Sequence, residues 1–142
     1  MSRISKSKKI QVKKRADYCC EYCKSQELFS ATAFTVDHIM PQSKTGDDEL
    51  NNLAFSCQGC NGSKYNKTSG FDTLTLQVTA LYNPRKQIWS EHFAWSEDAT
   101  VIIGISPTGR VTVEELKLNR EGLINLRKIM ITTGNHPPAI KK

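Results

Sequence analysis

The sequence predicts an α+β fold in which four cysteines clamp a short strand against a short helix, with a small antiparallel sheet and a C-terminal helix behind them. Two CxxC pairs, Cys20/Cys23 and Cys57/Cys60, mark the clamp. Between them a β-branched run, FTVDHIM, ends at Pro41. After Gln87 apolar residues fall on alternate positions, and beyond Asn119 they take helical spacing.

The elements follow in chain order. Val12 and Ala16 lie four apart in a highly charged stretch, which predicts a short helix leading into the first cysteine pair. Residues 34–39 read as a strand, closed by Pro41 because proline has no N–H to give a ladder. PQSKTGDDELNN is a polar, turn-rich loop; NLAFSCQGC returns to the second pair, and NGSKYNK forms the first turns of a helix in spite of Gly62. Along IWSEHFAW, Trp89, Phe93 and Trp95 fall on one side and Ser90, His92 and Ala94 on the other, the pattern of a half-buried strand from Gln87. TVIIGIS and GRVTV flank Pro-Thr-Gly and read as a hairpin. Asn119 is set to cap a final helix carrying Leu123, Leu126 and Met130, ended by Gly134 and Pro137-Pro138.

A chain of 142 residues suits one domain, divided here into a basic arm (1–15), a clamped core (16–68) and a structural extension (69–142). No apolar run approaches the ~18 residues of a membrane span. MSRISKSKKIQVKKR lacks the apolar segment of a secretory signal, so the expected location is the cytoplasm. The net charge of +6 is concentrated at one end: Arg3, Lys6, Lys8, Lys9, Lys13, Lys14 and Arg15 precede any acid, leaving 13 basic and 14 acidic side chains elsewhere. Such an arm suits a polyanionic partner, with Lys8, Lys9, Lys13, Lys14 and Arg15 as candidate contacts, although a solubilising tail would have the same composition.

Five cysteines without an export signal argue against a disulfide framework. Two knuckles, Cys20/Cys23 and Cys57/Cys60, supply four thiolates, the closed tetrahedral shell of a structural Zn²⁺. The 33 residues between Cys23 and Cys57 exceed the usual zinc-ribbon spacer, so another unit is inserted between the knuckles. A redox role would need a thioredoxin-like βαβ context, which the pattern lacks. Cys19 is the odd thiol, either free and partly buried or a ligand through a shift of register.

The insert carries VDHIMP, and the second knuckle runs directly into CNGSK. Arg15, CEYC, VDHIMPQS, NNL and CQGCNGSK together resemble the zinc-containing HNH endonucleases of bacteria and phages over about residues 10 to 68. LYNPR, HFAW, SPTGRVTV, LNR and GNHPP are similar to the C-terminal extension of a group of stand-alone bacterial HNH proteins. One departure is Asn61 where the third letter of HNH is His, a replacement many members share. The resemblance implies a ββα-metal finger that hydrolyses phosphodiester bonds of DNA, leaving 5′-phosphate and 3′-hydroxyl ends, with one site nicking one strand at a time.

The residue types agree with that chemistry. Hydrolysis needs a base for water, a cation for the charge on the transition state and stabilisation of the leaving oxygen. His38 suits the first task, since an ordinary imidazole titrates near ~6.5 and is mostly neutral at physiological pH. Asp37 and Asn61 supply oxygen ligands for Mg²⁺ or Mn²⁺. Lys64, three residues beyond Asn61 on one helical face, is expected to meet phosphate, helped by the N-terminus of its helix. Asn52 is expected to pin the loop after His38. Asp37 and His38 point to opposite faces of a strand, so they share a site only where it ends or twists, as Pro41 allows. His92 and His136 read as structural. The competing reading is a non-catalytic zinc-ribbon module that binds DNA or RNA; the joint presence of Asp37, His38 and Asn61 speaks against it, while contacts made mainly to phosphates leave RNA open.

Overall fold

Residues 4–139 are described by a computed structural model. Among them are four α-helices and six strands, the strands paired as three two-stranded antiparallel sheets. The mixed α+β class agrees with the sequence, but the antiparallel structure is divided among three ribbons rather than gathered in one sheet.

Helix α1 (Lys6–Arg15) opens on Ser5, whose side chain accepts the Lys8 amide, and closes on Lys13, Lys14 and Arg15, cations that suit the negative end of the helix dipole. Val12 is its one buried residue and is fully enclosed by the core. The basic segment from Ser5 onward is therefore a docked helix and not a free tail. Arg3 lies outside the described residues.

Strand β1 (Thr35–His38) pairs with β2 (Leu53–Ser56), Thr35 opposite Ser56 and His38 opposite Leu53. Every residue of β2 is buried, as befits the strand between α1 and β1. Helix α2 (Gln58–Lys64) follows at once, three residues earlier than the expected start at Asn61, because Cys57 caps it: its sulfur accepts the Cys60 amide. The helix stops at Tyr65, whose φ of 48° cannot continue it.

Strands β3 (Ser69–Asp72) and β4 (Gln77–Ala80) form a hairpin that hydrophobic periodicity does not reveal. Its polarity is inverted: Gly70 and Asp72 turn toward the protein while Phe71 and Val78 are exposed. Strand β5 (Phe93–Trp95) pairs with β6 (Ile102–Gly104). The strand expected from Gln87 is shorter, since residues Trp89–Glu91 form a 3-10 turn, yet the aromatics still gather, with Trp89 5.1 Å from Phe93 and 5.6 Å from Trp95.

The expected hairpin of TVIIGIS with GRVTV does not form. Ser106 accepts the Gly109 amide and Pro107 takes the first turn, so GRVTV lies in helix α3 (Pro107–Glu115). A serine cap followed by proline overrides the strand preference of Val111, Thr112 and Val113. Gly109 permits the close packing, because a Cβ there would stand 1.9 Å from the His92 carbonyl oxygen. Helix α4 (Glu121–Thr132) carries the expected buried Leu123 and Met130, but Asn119 is not its cap. The Asn119 amide accepts from Ile102 N–H and donates to Ile102 carbonyl, tying β6 to the helix approach. His92 pairs with Ser106 and His136 with the Ala99 carbonyl, both inside the extension. No helix among the described residues is long and apolar enough to cross a membrane.

Candidate active site and metal centre

Cys20 and Cys23 reach the cluster from the turn after α1, and Cys57 and Cys60 from the start of α2. All four are buried and their sulfurs lie within 4.8 Å of one another, Cys23 and Cys57 at 3.7 Å. A tetrahedral zinc ion with bonds of ~2.3 Å separates its sulfurs by about 3.8 Å, so the set fits zinc in donor type, number and spacing. Within the cluster the thiols act on one another: hydrogen bonds with Cys20, Cys23 and Cys60 pull the Cys57 thiol down, while burial pushes the Cys20 thiol up. Cys19 stands outside it, near the Asp17 carbonyl, and burial pushes its thiol up. At the start of α2 the Cys60 amide is turned to the Cys57 sulfur.

The two residues between Cys20 and Cys23 carry the clamp to the strands. Glu21 exchanges bonds with Phe55 of β2, its amide giving to the Phe55 carbonyl and its carboxylate accepting the Phe55 amide, and it also holds the Arg85 guanidinium from LYNPR. Tyr22 gives its hydroxyl to Asp37 Oδ2 at 2.7 Å and takes the Trp89 indole N–H on its carbonyl. Both residues escaped the sequence analysis; spacing finds the ligands of a knuckle, whereas the use of its middle residues depends on what it packs against.

Asp37 points inward and is 4% exposed, and Lys64 of α2 is 2% exposed. The Lys64 ammonium lies 3.3 and 3.2 Å from the two Asp37 oxygens, 3.0 Å from the His38 carbonyl and 3.1 Å from the Ile39 carbonyl. Its three N–H donors are thus matched by a carboxylate and two carbonyls. This corrects the expected phosphate contact: the i, i+3 face shared by Asn61 and Lys64 turns Lys64 into the protein. Burial raises the Asp37 carboxyl, and the Lys64 charge and the Tyr22 hydroxyl counter it. Asn61, half-buried, lies one turn before Lys64.

His38 turns the other way. Its Nε2 is 2.7 Å from Asp48 Oδ1, and both side chains keep about a fifth of their surface open to solvent, 20% and 23%. Gln42 also reaches Asp48, and Lys8 of α1 donates to the Asp48 carbonyl. Asn52 closes the loop after His38 by accepting the Met40 amide and donating to the Met40 and Asp47 carbonyls, while its own carbonyl accepts the Ile39 amide. Gly46 lets the loop fold back, since a Cβ would stand 1.7 Å from the Met40 carbonyl oxygen. Asp48 was not anticipated; ten residues and a folded loop separate it from its partner.

The basic residues divide by what they touch. Lys9 and Lys14 are exposed, and Lys13 pairs with Glu27 at 3.6 Å. Arg15, also exposed, gives its guanidinium to the Leu53 carbonyl and joins α1 to β2.

Residues 20–67 match the family model described as HNH endonuclease. The matched span contains all four clustered cysteines together with Asp37, His38, Asp48, Asn52, Asn61 and Lys64. No curated protein and no solved structure gives a match.

Proposed function

We propose, from the premise that residues 20–67 are an HNH endonuclease domain, that the chain is a cytoplasmic, metal-dependent nuclease hydrolysing phosphodiester bonds of DNA. In this reading β1, β2 and α2 are its ββα-metal finger, and one chain nicks one strand. The observation that carries it is the pair His38 and Asp48, Nε2 to Oδ1 at 2.7 Å. An ionised carboxylate only accepts, so Nε2 donates its N–H to Asp48, and in the neutral form of the ring Nδ1 would carry the lone pair. Asp48 would orient the ring and stabilise the imidazolium formed when Nδ1 takes a proton from water. Asn52 would keep that geometry by closing the loop between the two.

The four cysteines would hold structural zinc. Asp37 and Asn61 would hold the catalytic Mg²⁺ or Mn²⁺, which when bound neutralises charge on the phosphate undergoing attack. Asp37 is of the right donor type: its oxygens already accept from Tyr22 and Lys64, and each keeps a further lone pair that a cation would use. Lys64 acts here as a positioning residue. Lys9 and Lys14, with Lys8 and Lys13, would meet DNA phosphates.

Zinc-loaded protein incubated with supercoiled plasmid and Mg²⁺ or Mn²⁺ tests the reading. Open circles should appear first and linear DNA later. No cleavage with either ion would refute the nuclease reading, and linear product without an open-circle stage would refute nicking. Cleavage of RNA alone would move the substrate class.

A further inference from the structure

The C-terminal extension reaches the cysteine sulfurs through Arg120. Arg120, just before α4, places Nη2 3.4 Å from Cys57 Sγ and Nη1 3.6 Å from Cys60 Sγ. Nη1 is also 3.4 Å from the Leu116 carbonyl and 3.1 Å from the Lys117 carbonyl, so the end of α3 holds the guanidinium in place. Arg120 occupies the cap position of α4 yet makes no side-chain cap bond there. A second, independent feature sits in the knuckle: Gly59 lies between Cys57 and Cys60, and a Cβ on it would stand 2.4 Å from Arg120 Nη2 and 2.7 Å from Cζ. The knuckle leaves open the space that the guanidinium fills.

Four thiolates on a Zn²⁺ ion carry a net charge of −2, which is costly to bury without donors or a counter-charge. Arg127 does not serve, because its guanidinium is committed to the Thr100 and Leu118 carbonyls and to Asn119. We infer that Arg120 is a hydrogen-bond partner of the zinc thiolates, lowering the electron density on Cys57 and Cys60 and making the extension a working part of the metal site. The inference rests on the zinc reading and not on the nuclease reading.

The test uses the full chain loaded with Co²⁺ for spectroscopy and Zn²⁺ for competition with a chromogenic chelator. Removing N–H donors leaves the sulfurs richer in electrons, so Arg120→Met should move the sulfur-to-cobalt charge-transfer band to lower energy. It should also weaken zinc retention by ~10-fold or more, the usual cost of losing a partner behind a ligand. Arg120→Lys keeps the charge but not the fork that spans two sulfurs, so its band should fall between wild type and Arg120→Met. Gly59→Ala should shift the band in the same direction by displacing the guanidinium, and it decides the matter if Arg120→Met fails to fold. If folded Arg120→Met and Gly59→Ala keep the wild-type band and zinc retention, Arg120 is only a tie for α4 and the inference is wrong. A wild-type chain that binds neither metal would instead overturn the zinc reading itself.

Discussion

The Lys64 ammonium sits 3.2 Å from Asp37 Oδ2 with both side chains buried, which makes the pair an internal strut between α2 and β1. Removing one member of a buried pair strands the other charge, so Lys64→Met should lower unfolding free energy by ~3–5 kcal/mol. The double variant Asp37→Asn/Lys64→Met should recover much of that loss. Urea denaturation of the zinc-loaded proteins measures both, and a Lys64→Met variant as stable as wild type would show that the pair is not a strut.

Asn52 ties Met40 to Asp47 across the loop that joins His38 to Asp48. Asn52→Ala should therefore reduce turnover by up to ~10²-fold through misplacement of the base, with little change in DNA affinity. Single-turnover cleavage and equilibrium binding, measured on the same preparation, separate the two effects.

Lys9, Lys14 and Arg15 are exposed on α1, and Arg15 also bonds the Leu53 carbonyl. Replacing Lys9 and Lys14 by Ala should make the dependence of log affinity on log salt shallower by about 1.8, the share of two phosphate contacts. Arg15→Ala should lower stability through loss of its bond to the Leu53 carbonyl. Equal slopes for wild type and the double variant would remove α1 from the DNA interface.

Asp72 of β3 receives Arg110 of α3 through two bonds, Nε to Oδ1 at 2.9 Å and Nη2 to Oδ2 at 3.0 Å, and also accepts from Thr75. These bonds hold its carboxyl well below the usual carboxylate range. The folded value lies below the unfolded one, so the contribution is complete above ~4 and disappears as pH falls through the folded value. Acid should loosen the β3–β4 hairpin from α3, and Asp72→Asn should abolish that part of the pH dependence. Hydrogen exchange of the hairpin amides, followed from neutral to acid pH, reads it.

The legible parts of this chain are those where the residue type is the message. Cys20, Cys23, Cys57 and Cys60 announce a metal cluster through spacing, and the β-branched run before Pro41 announces β1. The misread parts depend on three-dimensional neighbours. A three-residue spacing puts Asn61 and Lys64 on one helical face without saying that the face looks inward, so Lys64 looked like a phosphate contact. GRVTV has the composition of a strand, and only the preceding Ser106-Pro107 pair shows that a helix begins there. Asp48 could not be matched to His38 until the loop between them had folded back on Gly46. The β3–β4 hairpin hid because its apolar residues face solvent.

The central claim is that His38, oriented by Asp48, removes the proton from the attacking water. The most direct measurement is the nicking rate of His38→Ala on supercoiled plasmid, with zinc content and DNA affinity determined on the same sample. The rate should fall by at least ~10²-fold while zinc and affinity stay close to wild type. A folded, zinc-loaded His38→Ala protein that nicks at the wild-type rate would contradict the account.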